Sequence, residues 1–104
     1  MRLIDIAPLF AEELAVQLSE VCEPMLAAQI ADLCVVDRCR CQDEFCGSFY
    51  TATPPLGAYG TGHRNVALEP ESGMVILDVV HDRIMFVEVL FNNEFRKILR
   101  AALP

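Results

Sequence analysis

A chain of 104 residues with 54% hydrophobic content and no Trp fits one domain, and that length buries a core without disulfide or metal staples. Its formal charge of -7 is uneven: residues 1–37 carry seven acids (Asp5, Glu12, Glu13, Glu20, Glu23, Asp32, Asp37) against Arg2 alone, while residues 38–104 carry eight acids and seven bases. Neither half offers the basic footprint that phosphate recognition needs, so nucleic acid and anionic membranes are excluded as expected partners.

Residues 1–8, Met-Arg-Leu-Ile-Asp-Ile-Ala-Pro, carry no secretory apolar region because Asp5 and Pro8 interrupt it. No apolar run approaches the ~18–20 residues of a membrane-spanning helix. The expected location is cytoplasmic, where thiols are normally reduced. Pro8 suits the first turn of a helix, with Asp5 just upstream as an acidic or capping residue. Phe10, Leu14, Leu18 and Val21 recur at helical spacing against Glu12, Glu13, Gln17 and Glu20, which predicts an amphipathic helix over residues 8–21. Pro24 opens a short second helix through Ile30.

Leu33 to Cys41 changes to β-branched and thiol residues and reads as a strand, with Gly47 to Ala52 as its hairpin partner. Residues 53–64 form a Pro/Gly-rich loop, Asn65 to Leu68 a short strand and Pro70 to Gly73 a turn. Met74–Val80 and Arg83–Phe91 are the strongest strands, turning at His81-Asp82. With that turn, Val79 faces Ile84, Leu77 faces Phe86 and Val75 faces Glu88. Both faces of this hairpin are largely apolar, which predicts a central position covered on both sides, by helices and by a second subunit. Asn92 or Asn93 caps a last helix with Phe95, Ile98, Leu99 and Ala102 on one face and Arg96, Lys97 and Arg100 toward its end. The expected fold is a single α+β domain over residues 1–104: two N-terminal helices, an antiparallel sheet of about five strands with a central hairpin 74–91, and a C-terminal helix.

The segment Gly73-Met-Val-Ile-Leu-Asp-Val-Val-His-Asp-Arg-Ile-Met-Phe-Val-Glu-Val-Leu90 resembles the hairpin of small uncharacterised bacterial α+β domains. That resemblance covers under a fifth of the chain. It implies a bacterial α+β protein and carries over no catalytic residue.

The reactive side chains crowd into one window, Cys34-Val-Val-Asp-Arg-Cys39-Arg-Cys41-Gln-Asp-Glu-Phe-Cys46, which holds four of the five cysteines. Zinc takes four tetrahedral ligands, usually thiolate or imidazole. Residues 39 and 41 of an extended strand share a face, Cys46 returns from the hairpin, and His63 in the Gly-rich loop completes the set Cys39, Cys41, Cys46 and His63. Alternation puts Cys34 on the other face. The spacing is Cys-x-Cys-x4-Cys, not the paired Cys-x2-Cys knuckle. A second reading is redox: Cys41 and Cys46 flank a short loop, and Arg38 and Arg40 favour thiolate while Asp37, Asp43 and Glu44 oppose it. Packing is the stronger expectation than either, because free cysteine behaves as a small buried hydrophobe; Cys22 and Cys34, among Val and Leu, are expected to be this kind, and so are Cys39, Cys41 and Cys46 unless His63 or another fourth ligand stands beside them.

Other candidates are weaker. Gly57, Gly60 and Gly62 with His63 and Arg64 resemble an anion-binding loop but match neither the dinucleotide fingerprint nor the P-loop, and a turn-rich connection with Tyr59 packed over it is the simpler expectation. Asp78 and Glu88 fall on opposite faces of the hairpin in the expected register, which opposes a catalytic dyad. His81 is expected exposed in its turn, and Ser48 and Ser72 have no histidine partner for a triad. The sequence therefore favours a non-enzymatic protein-interaction domain, expected as a homodimer, with a zinc-binding domain as the alternative and a thiol-redox protein third.

Overall fold

A computed structural model describes residues 1–104. Helix α1 (Leu3–Ile6) and helix α2 (Pro8–Glu20) lead into a short α3 (Pro24–Ala27) and a 3-10 turn (Ile30–Asp32). Strands β1 (Asp37–Arg38), β2 (Phe49–Tyr50), β3 (His63–Leu68), β4 (Met74–Val80) and β5 (Arg83–Leu90) follow, and α4 (Asn93–Ala102) ends the fold. The five strands form one antiparallel sheet in the order β1-β2-β5-β4-β3. The expected α+β class, antiparallel sheet, central hairpin and C-terminal helix are all present.

Pro8 occupies the start of α2 as its fixed φ favours, and Phe10, Leu14 and Leu18 point inward from that helix. Asp5 is not a cap; it lies in α1 and pairs with Arg2 at 3.2 Å. Asn92 caps α4, its Oδ1 accepting from Phe95 N at 3.0 Å. Phe95 then stacks on Phe10 with ring centroids 4.0 Å apart and meets Phe49 at 5.6 Å, which joins both long helices to the sheet.

The expected strand 33–41 is mostly not a sheet strand. Leu3 N donates to Leu33 O and Val35 N to Met1 O, so this stretch pairs first with the N-terminal residues. Only Asp37 and Arg38 form the ladder, opposite Tyr50 and Phe49.

The β4–β5 hairpin departs from the expected register by one residue. Val79 does face Ile84, but Asp78 faces Phe86, leaving Met85 as the extra residue of a bulge; Leu77 then faces Val87 and Val75 faces Val89. The bulge turns Val87 and Val89 into the core beside Val75, Leu77, Val79 and Ile84, all nearly fully buried. Without it Glu88 would point inward, a cost that selects the register. Thr51 braces the bulge: its N donates to Met85 O and its Oγ1 to Ile84 O. A consequence is that Asp78 and Glu88 share one face of the sheet, correcting the opposite-face expectation.

All four helices contribute to the single core cluster on the Val75–Leu77–Val79 face. The other face, with Ile76, Met85, Phe86 and Leu90 half-buried and Met74 47% exposed, carries no helix. Cover on both sides is therefore not supplied by this chain. No helix is long and apolar enough to cross a membrane.

Candidate metal centre

Beyond β1 the chain keeps one more ladder bond, Cys39 N to Ser48 O at 2.8 Å, and then leaves the sheet for the loop 40–45. It returns through a turn closed by Cys46 N on Asp43 O, bridges to Leu90, and is pinned by Gly47 N on Val89 O at 2.8 Å. Cys39 at the exit, Cys41 in the loop and Cys46 at the return thus meet at one corner. Their Sγ atoms all lie within 4.8 Å of one another. Cys46 is buried and the other two half-buried.

Helix α4 packs behind this corner, on the Gly47 side of the sheet. A Cβ on Gly47 would stand 3.4 Å from Arg96 Cα, so glycine permits the helix to approach. Arg38 Nε donates to Leu103 O at 2.6 Å and its Nη1 to Cys39 O at 3.2 Å; Arg40 donates to the main-chain oxygen of Pro104 and to Asp37 Oδ1, both at 2.7 Å. The two arginines are therefore engaged with the end of α4 and with the strand itself.

The three thiols are not equivalent. Burial pushes the Cys46 thiol up, but hydrogen bonds to its anionic form from the Ser48 side chain and backbone, and from the Cys41 and Cys39 thiols, bring it below the ordinary range. Cys41 moves the other way. A backbone hydrogen bond at Asp43 favours its thiolate, yet its service as a donor to Cys46, burial and the Cys39 neighbour outweigh that and raise it to about 11. Of the two, Cys46 is therefore the sulfur that ionises more readily.

The structure does not bring His63, the fourth expected ligand, to this corner. His63 opens β3, the edge strand opposite β1, and its Nε2 lies 2.7 Å from Asp78 Oδ1. Asn65 Nδ2 donates to the same oxygen at 2.7 Å, and the Tyr59 ring packs on the imidazole with centroids 4.8 Å apart. Arg64 is committed to Glu23 through two hydrogen bonds of 2.7 and 2.9 Å and to Asp82, so the glycine loop presents no free cation to an anion. Cys22 and Cys34, expected in the core, are both exposed. Cys22 holds a left-handed φ of 61° just past α2, and Cys34 donates to Asp32 O at 3.6 Å. An apolar groove of about 220 Å³ between α1, α2 and α4 includes none of the cysteines.

Two participants are not apparent from motif spacing. Ser48 stands two residues after Cys46 on the same side, its Oγ 3.4 Å from Cys46 Sγ and accepting from Val89 N at 2.9 Å. Phe45 and Phe91, both exposed, stack at 5.2 Å beside Cys46. The Cys-x-Ser alternation on a strand is the signal that identifies the first; nothing local identifies the second.

Three sulfurs of this kind suit a thiophilic ion. Tetrahedral zinc at a Zn–S distance of about 2.3 Å spaces its sulfurs about 3.8 Å apart. Comparison with protein-family models, with curated proteins and with solved structures finds no match to the chain.

Proposed function

We propose that this protein is a small thiolate metal-binding domain that holds a zinc-class ion through Cys39, Cys41 and Cys46. The convergence of three Sγ atoms within 4.8 Å of one another carries the reading. An all-sulfur donor set selects soft ions over magnesium or calcium. With three protein ligands, the fourth position of a tetrahedral ion is left for water or an external ligand, the arrangement of reactive rather than purely structural zinc sites. His63 is not part of this set.

The test is elemental analysis of protein purified under reducing conditions, followed by zinc competition against a chelator. The expected result is one ion per chain, lost in Cys39→Ser, Cys41→Ser and Cys46→Ser. Freshly purified protein without metal, with serine variants as stable as the parent, would sink the reading.

A second reading, contact with a further copy of the chain, draws support from the helix-free sheet face with Ile76, Met85, Phe86, Leu90 and the exposed Met74. A two-fold contact pairs a patch with itself and needs no separate complement. Light scattering giving a strict monomer at high concentration would count against it. Cys46 bridges to Leu90, so the thiols border this same face.

A further inference from the structure

Of the two outer strands of the sheet, β1 has two residues and β3 has six. β3 pairs with β4 alone, in unbroken register from His63 opposite Val80 to Leu68 opposite Val75. In the same register His81 N donates to Gly62 O. Opposite pairs in an antiparallel ladder alternate between bonded and unbonded. Arg64, Val66 and Leu68 therefore bond to β4, while Asn65 and Ala67 turn N–H and C=O outward. Neither of these two outward main-chain positions has a partner within the chain, and both residues are exposed. The usual guards of a free edge are missing. β3 holds no Pro, Lys or bulge, and its cationic side chains are drawn back, His63 to Asp78 and Arg64 to Glu23 and Asp82.

Beside this edge lies a groove of about 370 Å³, between Gln17, Glu20 and Val21 at the end of α2 and Ala67, Leu68 and Glu69 at the end of β3. Its polar side chains offer acceptors only. Glu20 and Glu69 are exposed and in no ion pair. The Gln17 amide nitrogen is spent on Glu13 Oε1 and the Glu69 carbonyl. A neighbouring depression shares Gln17 and Glu20 and adds the carboxylates of Glu12, Glu13 and Glu71. An extended chain laid along the edge thus meets free ladder groups on one side and negative charge beside it.

We propose that the β3 edge binds an extended basic segment of another protein by strand addition. Asn65 and Ala67 supply the main-chain hydrogen bonds, and the groove beside α2 takes alternate side chains, apolar over Val21 and cationic at Glu20 and Glu69. A second copy is the poorer occupant, because its own β3 brings Glu69 and no uncommitted cation. The proposal is independent of the cysteines.

The probe is the heptapeptide Lys-Val-Lys-Val-Lys-Val-Lys, acetylated and amidated at its ends, added to the full chain and followed by two-dimensional NMR and amide exchange. Saturable binding is expected to slow exchange at Asn65 and Ala67 by about tenfold or more, while Val66, already bonded to β4, changes little. The peptide N-methylated at every peptide bond keeps its charge but loses its ladder, and is expected not to bind. Glu20→Gln and Glu69→Gln are each expected to weaken binding about two- to fivefold. Ala67→Pro removes an outward N–H, which an edge strand tolerates, and should weaken binding as well. If that variant unfolds, the N-methylated peptide carries the test. Equal binding of the N-methylated peptide reduces the effect to charge alone and overturns the proposal, as does no saturation by about 1 mM peptide. Asn65 and Ala67 amides that are protected in the protein alone and released on dilution would give the edge to a second copy and overturn it too.

Discussion

Ser48 Oγ lies 3.4 Å from Cys46 Sγ while it accepts a hydrogen bond from Val89 N at 2.9 Å, so one hydroxyl serves both the candidate centre and the central strand. Ser48→Ala removes both services. The thiolate of Cys46 loses a donor, and the first ionisation of the trio, followed by thiolate absorbance, is expected to move to higher pH. Val89 N is left buried without its side-chain acceptor, at a cost of about 1–3 kcal/mol in denaturant unfolding. An unchanged absorbance profile would show that Ser48 does not tune the sulfur.

The opposed shifts of Cys46 and Cys41 predict stepwise titration. Cys46 ionises below the ordinary thiol range, whereas Cys41 keeps its proton until about pH 11. Metal uptake must expel that proton, so zinc affinity is expected to rise with pH throughout the neutral and alkaline range. Proton release on zinc addition, read with a weakly buffered indicator, should exceed one per ion at neutral pH. Release of one proton or fewer would contradict the assignment of Cys41 as a ligand.

Away from the thiols, Arg64 hydrogen-bonds the Glu23 carboxylate and holds its pKa below the ordinary 4.5. A depressed carboxylate stabilises the fold above its unfolded value and loses that contribution as pH falls through the folded one. Both side chains are part-exposed, so Glu23→Gln is expected to cost only about 0.5–1 kcal/mol at pH 7. The gap should close as pH falls through and below the depressed value of Glu23, and shrink in high salt. Parallel stability curves across that range would remove the ion pair from the account.

Asn92→Ala tests the entry to α4. Loss of the cap on Phe95 N is expected to cost about 1 kcal/mol, measured by urea unfolding. Asn93→Ala, inside the helix, should cost less.

The fold was legible where one period dominates. Phe10, Leu14 and Leu18 mark α2, and the alternation in Met74–Val80 marks β4. The register of β4 on β5 was not, because Met85-Phe86-Val87 is apolar without interruption and only the cost of burying Glu88 decides which residue bulges. At the candidate centre, Cys39, Cys41 and Cys46 follow from strand alternation and a returning hairpin. His63 was placed by residue type alone; the sheet order puts its strand at the far edge, a long-range fact that no local spacing encodes. Cys22 and Cys34 failed for a related reason. Val and Leu neighbours suggest burial, but Cys22 follows the helix end and Cys34 pairs opposite Arg2 on an outer segment.

The hydrogen bonds of Arg38 and Arg40 to Leu103 and Pro104 join the residues just past α4 to a strand only two residues long and the residues after it. Neither element has much independent stability, so each is expected to open with the other as one cooperative unit. Amide exchange at Leu103, whose N–H bonds Leu99 O, therefore becomes a remote reporter of the cysteine corner. An ion that binds only the closed form should slow exchange there in proportion to its occupancy, although no metal ligand lies in the helix.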